Sequence, residues 1–155
     1  MSVYALNGLG VKGNNNFRDR TFILATSYLL MGSTVAILKN TTHVMRPDGS
    51  SDNSFPSGHT ATAFMGAEFL YQDYKDVSVW YGVAGYTVAA ATGFFRMYND
   101  RHWLTDVAAG AGIGMLSTKV AYWSYPFIRR TFSIDSHKYK TDTNALILPY
   151  YNGRQ

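Results

Sequence analysis

Long, mostly uncharged stretches alternate with short polar ones along this chain. Residues 1–20 are polar and glycine-containing, and the four stretches that follow each predict a helix: residues 21–38, 60–70, 77–95 and 103–121. The segment from Pro47 to Pro56 has the Gly, Ser, Asp and Pro content of a loop. Pro126 is expected to end the helical region, because proline removes a helical hydrogen bond. The pattern therefore predicts an all-α protein, a compact helical bundle whose functional site is formed by loops and helix ends.

Two of the uncharged stretches, residues 21–38 and 77–95, reach the minimum of about 17 residues needed to cross a membrane. Both also contain Gly, Ser, Thr and Tyr, and the mean hydropathy of the whole chain is −0.14. The buried core helix of a small all-α domain has the same character. This comparison favours a soluble or peripherally bound chain over a membrane-spanning one.

Composition narrows the class of protein. The 155 residues suit one domain, which we assign to residues 1–130, followed by a polar tail over residues 131–155 that could be part of a longer segment. Only 15% of the residues are charged against 46% apolar, and the many aromatic side chains exclude a disordered chain. With no cysteine, disulfides, thiolate catalysis and zinc sites built on cysteine are excluded.

The positive charge indicates the kind of partner. A formal charge of +4 suits an anionic substrate or an acidic lipid surface. The basic residues are scattered, with Arg129-Arg130 as the one adjacent pair, so no nucleic-acid partner is expected. Residues 1–10 contain neither the basic nor the apolar region of a signal peptide, which predicts a cytoplasmic chain or one whose targeting segment has been removed.

Three clusters of polar residues carry the candidate chemistry. They are Lys39-x6-Arg46-Pro47, then Pro56-Ser57-Gly58-His59, then Arg96-x5-His102-x3-Asp106. Taken singly, each has an ordinary interpretation as a helix end, a capped turn or an i,i+4 pair. Together and in this order, they resemble the motifs of the type 2 phosphatidic acid phosphatase superfamily, which also includes vanadium haloperoxidases and bacterial acid phosphatases. The resemblance covers residues 39–106.

The residue types suit binding of a phosphate group. Lys39, Arg46 and Arg96 provide three cations for its oxygens, and the two guanidinium groups can each bind an oxygen pair. Ser57 and Gly58 stand just ahead of an apolar helix, where backbone N–H groups and the helix dipole favour an anion. Ser57 can add a hydroxyl donor. Such a cradle requires no metal and no cofactor.

The histidines suit the chemical step. His102 and Asp106 are four residues apart, so on a helix they share one face, and the carboxylate can fix the imidazole tautomer. The resemblance implies that His102 forms a phosphohistidine intermediate, with Asp106 orienting it. It also implies that His59 protonates the leaving oxygen and then activates water.

The third cluster departs from the family pattern at three positions. Phe95 stands where a serine usually precedes the arginine, Asp100 where a glycine is frequent, and Leu104 where a proline is common. These departures concern the shape of the loop and the leaving-group pocket, and they remove no phosphate ligand. Tyr98 and Trp103 are the candidates for lining a substrate mouth.

The sequence thus predicts a metal-independent phosphatase for a phosphate monoester or diphosphate, with a lipid or isoprenoid as the expected substrate. The resemblance implies a location in the periplasm or at a membrane of a bacterial envelope, and a membrane surface is a possible partner. A soluble non-specific acid phosphatase, a vanadium-dependent haloperoxidase and an inactive module that binds anionic lipid remain open alternatives. The oligomeric state is also left open.

Overall fold

Every regular element in residues 2–131, the part of the chain that the computed structural model describes, is an α-helix. The helices are α1 (Ser2–Gly8), α2 (Phe17–Thr42), α3 (Gly58–Tyr74), α4 (Val79–Tyr98) and α5 (Leu104–Thr131). The predicted all-α class is confirmed. Residues up to Tyr125 form one compact unit, and α5 continues beyond them. The predicted tail lies outside the described residues apart from Thr131, so the domain boundary at residue 130 stays a prediction.

Capping side chains determine where the helices begin. Asn16 caps α2, its side chain accepting a hydrogen bond from the backbone N–H of Asp19 at 2.9 Å. Ser57 caps α3 and Ser78 caps α4 in the same way. Helix α2 stops before His43, whose backbone is left-handed with φ 45°. As a result, α2 extends four residues beyond the predicted stretch at each end.

Two features differ from the expectations drawn from sequence. Helix α1 lies in the segment interpreted as polar, and its Val3 is buried in the core beside Tyr74, whose hydroxyl donates to the Val3 carbonyl at 3.2 Å. Pro126 lies inside α5, so the prediction that it ends the helical region is wrong. A proline removes one backbone donor, and a helix of 28 residues can lose one hydrogen bond without ending.

Helices α2 and α3 run in opposite directions. The start of α2 meets the end of α3, where Arg20 lies 2.7 Å from Asp73. The end of α2 meets the start of α3, where Val35 lies beside Gly58. Both Arg20 and Asp73 are fully buried, and such a pair specifies how two helix ends meet because either charge alone would be costly.

Helix α4 is antiparallel to α3 and α5 is parallel to it. Gly93, near the end of α4, lies beside Thr60 at the start of α3. On α5, Gly110 lies against Ser57 and Gly114 against Ala61, so the two helices advance together. The last turns of α2 and α4 and the first turns of α3 and α5 therefore meet at one end of the bundle.

Helix α2 meets the length and composition criteria for a membrane span. Its best 18-residue window has a mean hydropathy of 1.7, and 22% of that window is buried inside the structure. Among residues 2–131 it is the one helix that does so. Length and composition alone do not distinguish a span from a core helix, but most of this window is not covered by protein.

The close approach of α5 to α3 makes Gly114 sensitive to substitution. A β-carbon there would clash with the Ala61 carbonyl oxygen. We expect Gly114→Ala to lower the free energy of unfolding by about 1–3 kcal/mol, the usual cost of overpacking. Gly112→Ala is the matched control, because a β-carbon at Gly112 meets no atom within 4 Å. Thermal unfolding of the purified protein measures both, and equal stability of the two variants would contradict this packing.

Candidate active site

A cavity of about 640 Å³ opens at the end of the bundle where the four long helices meet. Its lining includes six of the eight predicted site residues: Lys39, Arg46, Gly58, His59, Arg96 and His102. They come from the last turns of α2 and α4, the first turn of α3 and two loops. The antiparallel arrangement thus brings together side chains that are up to 63 positions apart in sequence, from Lys39 to His102.

The first motif is held in place by Asn53, a residue that the sequence analysis did not single out. Lys39 Nζ donates to the Asn53 backbone carbonyl at 2.5 Å, and Arg46 Nη2 donates to Asn53 Oδ1 at 3.0 Å. The backbone N–H of Arg46 also donates to the Ser51 carbonyl at 2.9 Å. These bonds fold residues 46–53 back over the end of α2 and direct both cations at the cavity.

Two guanidinium groups keep donors free for a ligand. The Nε atoms of Arg46 and Arg96 are buried, and neither has a hydrogen-bond partner within residues 2–131. Leaving a buried donor unpaired is costly, and more so for a charged group. Both arginines line the cavity, where an oxyanion would meet their guanidinium groups, and this is the arrangement expected of a phosphate site.

The second motif forms the start of α3. Gly58 and His59 lie in its first turn and line the cavity. Ser57 differs from the prediction of a hydroxyl that faces the anion. It is fully buried, and its Oγ accepts hydrogen bonds from the backbone and hydroxyl of Thr60, because it serves as the cap of α3. Its backbone N–H donates to the Asp106 carbonyl at 3.0 Å and so ties the second motif to the third.

The third motif brings His102 and Asp106 together, but not on one helix face. His102 precedes the first residue of α5, so the expected helical geometry is wrong and the pairing arises from the turn that leads into the helix. His102 Nδ1 lies 3.5 Å from Asp106 Oδ2, with both side chains buried. The same oxygen accepts a hydrogen bond from the Trp103 backbone at 2.9 Å and another from the Ser54 hydroxyl.

The surroundings of His102 favour its neutral form. Burial lowers the pKa of its imidazole, and the nearby cations Arg96 and Lys39 lower it further, while Asp106 opposes them. Because the net shift is downward, His102 loses its proton at a lower pH than an ordinary histidine does. A neutral imidazole carries a lone pair on one ring nitrogen, which is the state needed for nucleophilic attack.

Asp100 stands where the family pattern frequently has a glycine, and the backbone conformation there explains why an aspartate can replace it. Its backbone is left-handed, with φ 52°, a conformation that favours glycine and that Asp tolerates better than most residues. Its carbonyl accepts a hydrogen bond from the Asp48 backbone at 3.2 Å, and the Asp48 carboxylate pairs with Arg101 at 3.1 Å. The loop therefore keeps the turn that a glycine would make.

The two aromatic candidates for a substrate mouth lie outside the lining of this cavity. Tyr98 and Trp103 are both exposed. The indole N–H of Trp103 donates to the Met45 carbonyl at 2.9 Å, so Trp103 joins the start of α5 to the loop after α2. Within residues 2–131, no group of three or more His, Asp or Glu side chains is arranged to hold a metal ion.

Comparison with known proteins relates this site to a family. The profile described as the PAP2 superfamily matches residues 20–130, which include all three motifs. The chain is 42% identical over 131 residues to the lipid A 1-phosphatase of Porphyromonas gingivalis, covering 84% of this chain and 29% of that protein. It is 35% identical over 86 residues to the bacitracin transport permease protein BcrC of Bacillus licheniformis, covering 54% of this chain and 40% of that protein. In each case, the match spans less than half of the relative. No solved structure matches the chain significantly.

Proposed function

Because the chain belongs to the PAP2 superfamily, we propose that it is a metal-independent phosphatase that acts through a phosphohistidine intermediate. The observation that carries the proposal is the convergence of Lys39, Arg46 and Arg96 on one cavity with two imidazoles at its wall. Three cations supply the charge stabilisation that phosphoryl transfer needs, which is the role metal ions play in many other phosphatases.

In the first step, the three cations hold the phosphoryl oxygens while an imidazole nitrogen of His102 attacks phosphorus. The new nitrogen–phosphorus bond forms as the bond from phosphorus to the leaving oxygen breaks. His59 gives its proton to that oxygen, so the leaving group departs as a neutral alcohol or as a protonated phosphate. Asp106 stabilises the positive charge that develops on His102.

In the second step, a water molecule attacks the phosphorus from the side that the leaving group has vacated. His59, now neutral, takes a proton from this water, and the nitrogen–phosphorus bond breaks. Inorganic phosphate is released and His102 returns to its neutral form. His59 lies in the first turn of α3 and is exposed to the cavity, where it can reach both the leaving oxygen and the water.

The histidine roles are tested by trapping the intermediate. We expect His102→Ala to reduce turnover by at least ~1,000-fold, because the nucleophile is lost, and to abolish acid-labile ³²P labelling of the protein from a labelled substrate. The assay is run with and without EDTA, and both the rate and the label should be unaffected by the chelator. His43→Ala is the control, since His43 is an exposed loop residue paired with Asp52. A His102→Ala variant that is still labelled would remove the assigned nucleophile.

We propose a lipid phosphate or isoprenoid phosphate as the substrate. Besides the cations, the cavity lining contains Met31, Gly32 and Val35 of α2 and Ala63 of α3, with the methyl-bearing Thr62 and Thr92 beside them. A site with charge at one end and an apolar wall at the other suits a phosphate head attached to a hydrocarbon chain. The 42% identity to a protein named lipid A 1-phosphatase supports the same substrate class.

We propose that the bundle lies in a membrane of a bacterial envelope, which fits the bacterial origin of both relatives. Helix α2 is long and apolar enough to span, and α4, with 20 residues, is about 30 Å long, the thickness of the hydrocarbon core. Large apolar side chains point outward, such as Leu29 at 73%, Trp80 at 75% and Trp123 at 86% exposure. So much outward apolar surface is unusual for a soluble monomer.

Aromatic residues are placed as in a membrane protein. The exposed face of α4 begins with Trp80 and ends with Phe94, Phe95 and Tyr98, with the aliphatic Val83 and Val88 between them. Trp and Tyr side chains, here Trp80 and Tyr98, concentrate at the two membrane surfaces, whereas aliphatic ones lie in the core. This distribution supports a site located at one membrane surface. The family resemblance alone leads us to place that surface on the periplasmic side.

Gly32 provides a test of the substrate class. A β-carbon at Gly32 meets no atom within 4 Å, so a side chain can start there without a clash, and Gly32 lines the cavity. We expect Gly32→Leu to lower kcat/KM for a long-chain lipid phosphate by about tenfold, which corresponds to loss of a buried apolar contact, and to leave a short water-soluble phosphate ester unaffected. Gly112→Leu is the control at an equally open position outside the cavity. Equal losses on both substrates would contradict a chain-binding wall and favour a non-specific acid phosphatase.

The proposed location is tested by fractionation. The chain should stay in the membrane pellet after an alkaline carbonate wash and be released by detergent, because its outward apolar surface is continuous with lipid. A peripheral protein would be released by the wash. In intact cells, hydrolysis of a membrane-impermeant phosphate ester would place the site on the periplasmic side, and hydrolysis confined to lysed cells would place it on the other.

A further inference from the structure

Ser54 lies beside the His102–Asp106 pair and contacts both of its members. It is fully buried in the loop between α2 and α3, three residues before the cap of α3. Its backbone N–H donates to the Val44 carbonyl at 2.8 Å, which closes the loop. Its hydroxyl is not needed for that closure, and it points instead at the Asp106 carboxylate.

The distances show that Ser54 touches both partners. Its Oγ makes a short hydrogen bond to Asp106 Oδ2 and lies 3.4 Å from His102 Nδ1. The direct separation of His102 Nδ1 from Asp106 Oδ2 is 3.5 Å, so both contacts to Nδ1 are longer than the usual 2.7–3.2 Å of an N–H···O hydrogen bond. The imidazole therefore lies at about the same distance from the serine hydroxyl and from the carboxylate oxygen to which that hydroxyl is bonded.

The chemistry of the carboxylate determines which group donates in the hydrogen bond between Ser54 and Asp106. An ionised carboxylate can only accept, so the Ser54 hydroxyl must direct its proton at Asp106. Its lone pairs are then left to face His102, which can satisfy them only if Nδ1 carries a proton. In the neutral imidazole, Nε2 is consequently the nitrogen with the free lone pair.

We propose that Ser54 is a positioning residue that fixes the tautomer of His102 through a chain running from His102 Nδ1–H to Ser54 and from Ser54 to Asp106. The inference rests on the proposed role of His102 as nucleophile. It identifies the residue that holds His102 in the reactive tautomer. Ser54 is not among the residues that line the cavity. Its loss should slow the chemical step without weakening the binding of the phosphate group.

The test compares Ser54→Ala with Ser54→Thr, which retains the hydroxyl. We expect Ser54→Ala to lower kcat by about 10- to 100-fold, the effect of losing a hydrogen bond to a charged group, with KM and competitive inhibition by inorganic phosphate changed less than about twofold. Ser54→Thr should recover most of the rate. Ser50→Ala is the matched control, because Ser50 lies in the same loop and its hydroxyl bonds to the exposed Asp48.

A spectroscopic measurement separates positioning from packing. In protein labelled with ¹⁵N at histidine, with the His102 signals assigned from His102→Ala, we expect the neutral wild-type ring to be protonated at Nδ1 and the Ser54→Ala ring to show a mixture of tautomers. If the added methyl of Ser54→Thr does not fit the buried site, the tautomer measured in Ser54→Ala tests the proposal without that variant. An unchanged tautomer in Ser54→Ala, an unchanged kcat, or a joint loss of kcat and phosphate inhibition would each overturn the proposal. Wild-type protein that forms no phosphoenzyme would instead refute the proposed function.

Discussion

Three positive charges held close together are the constraint on which this structure depends. Lys39, Arg46 and Arg96 repel one another whenever no anion lies between them. Two features of the fold offset this repulsion. Asn53 accepts a hydrogen bond from Lys39 with its backbone and from Arg46 with its side chain. Lys39 and Arg96 also lie in the last turns of α2 and α4, where the helix dipole favours a cation. The alternating direction of the helices is therefore a condition for gathering the charges at one place.

Much of the site could be predicted from sequence, because phosphate chemistry restricts both residue type and order. Lys39, Arg96 and His102 belong to motifs that rarely occur together in this order by chance, and the structure gathers them in one cavity. The long helices were also predictable, since uncharged stretches of this length rarely form anything else. Their ends were not, because caps such as Asn16 extend a helix into residues that look like loop.

The remaining features depend on neighbours that a one-dimensional pattern does not reveal. Ser54 and Asn53 are ordinary loop residues by composition, and their roles exist only because the loop folds back over Lys39 and Asp106. The Ser57 hydroxyl could have served either the anion or the helix start, and in this structure it serves the helix. Helix α1 has 7 residues, too few to show a periodic signal, and it is held in place by the core around Val3.

The contact between Gly110 and the Ser57 carbonyl keeps His59 and His102 at a fixed spacing. A β-carbon at Gly110 would lie 2.5 Å from that oxygen, so α3 and α5 touch backbone to backbone. His59 is the second residue of α3, and His102 lies two residues before the start of α5. Their spacing is accordingly fixed by main-chain atoms, which do not rearrange as side chains do when the surrounding solvent changes. If the bundle lies in a bilayer, as we propose, a change in the thickness or stiffness of that bilayer should act first on the outward faces of the helices and leave the spacing of the two histidines unchanged.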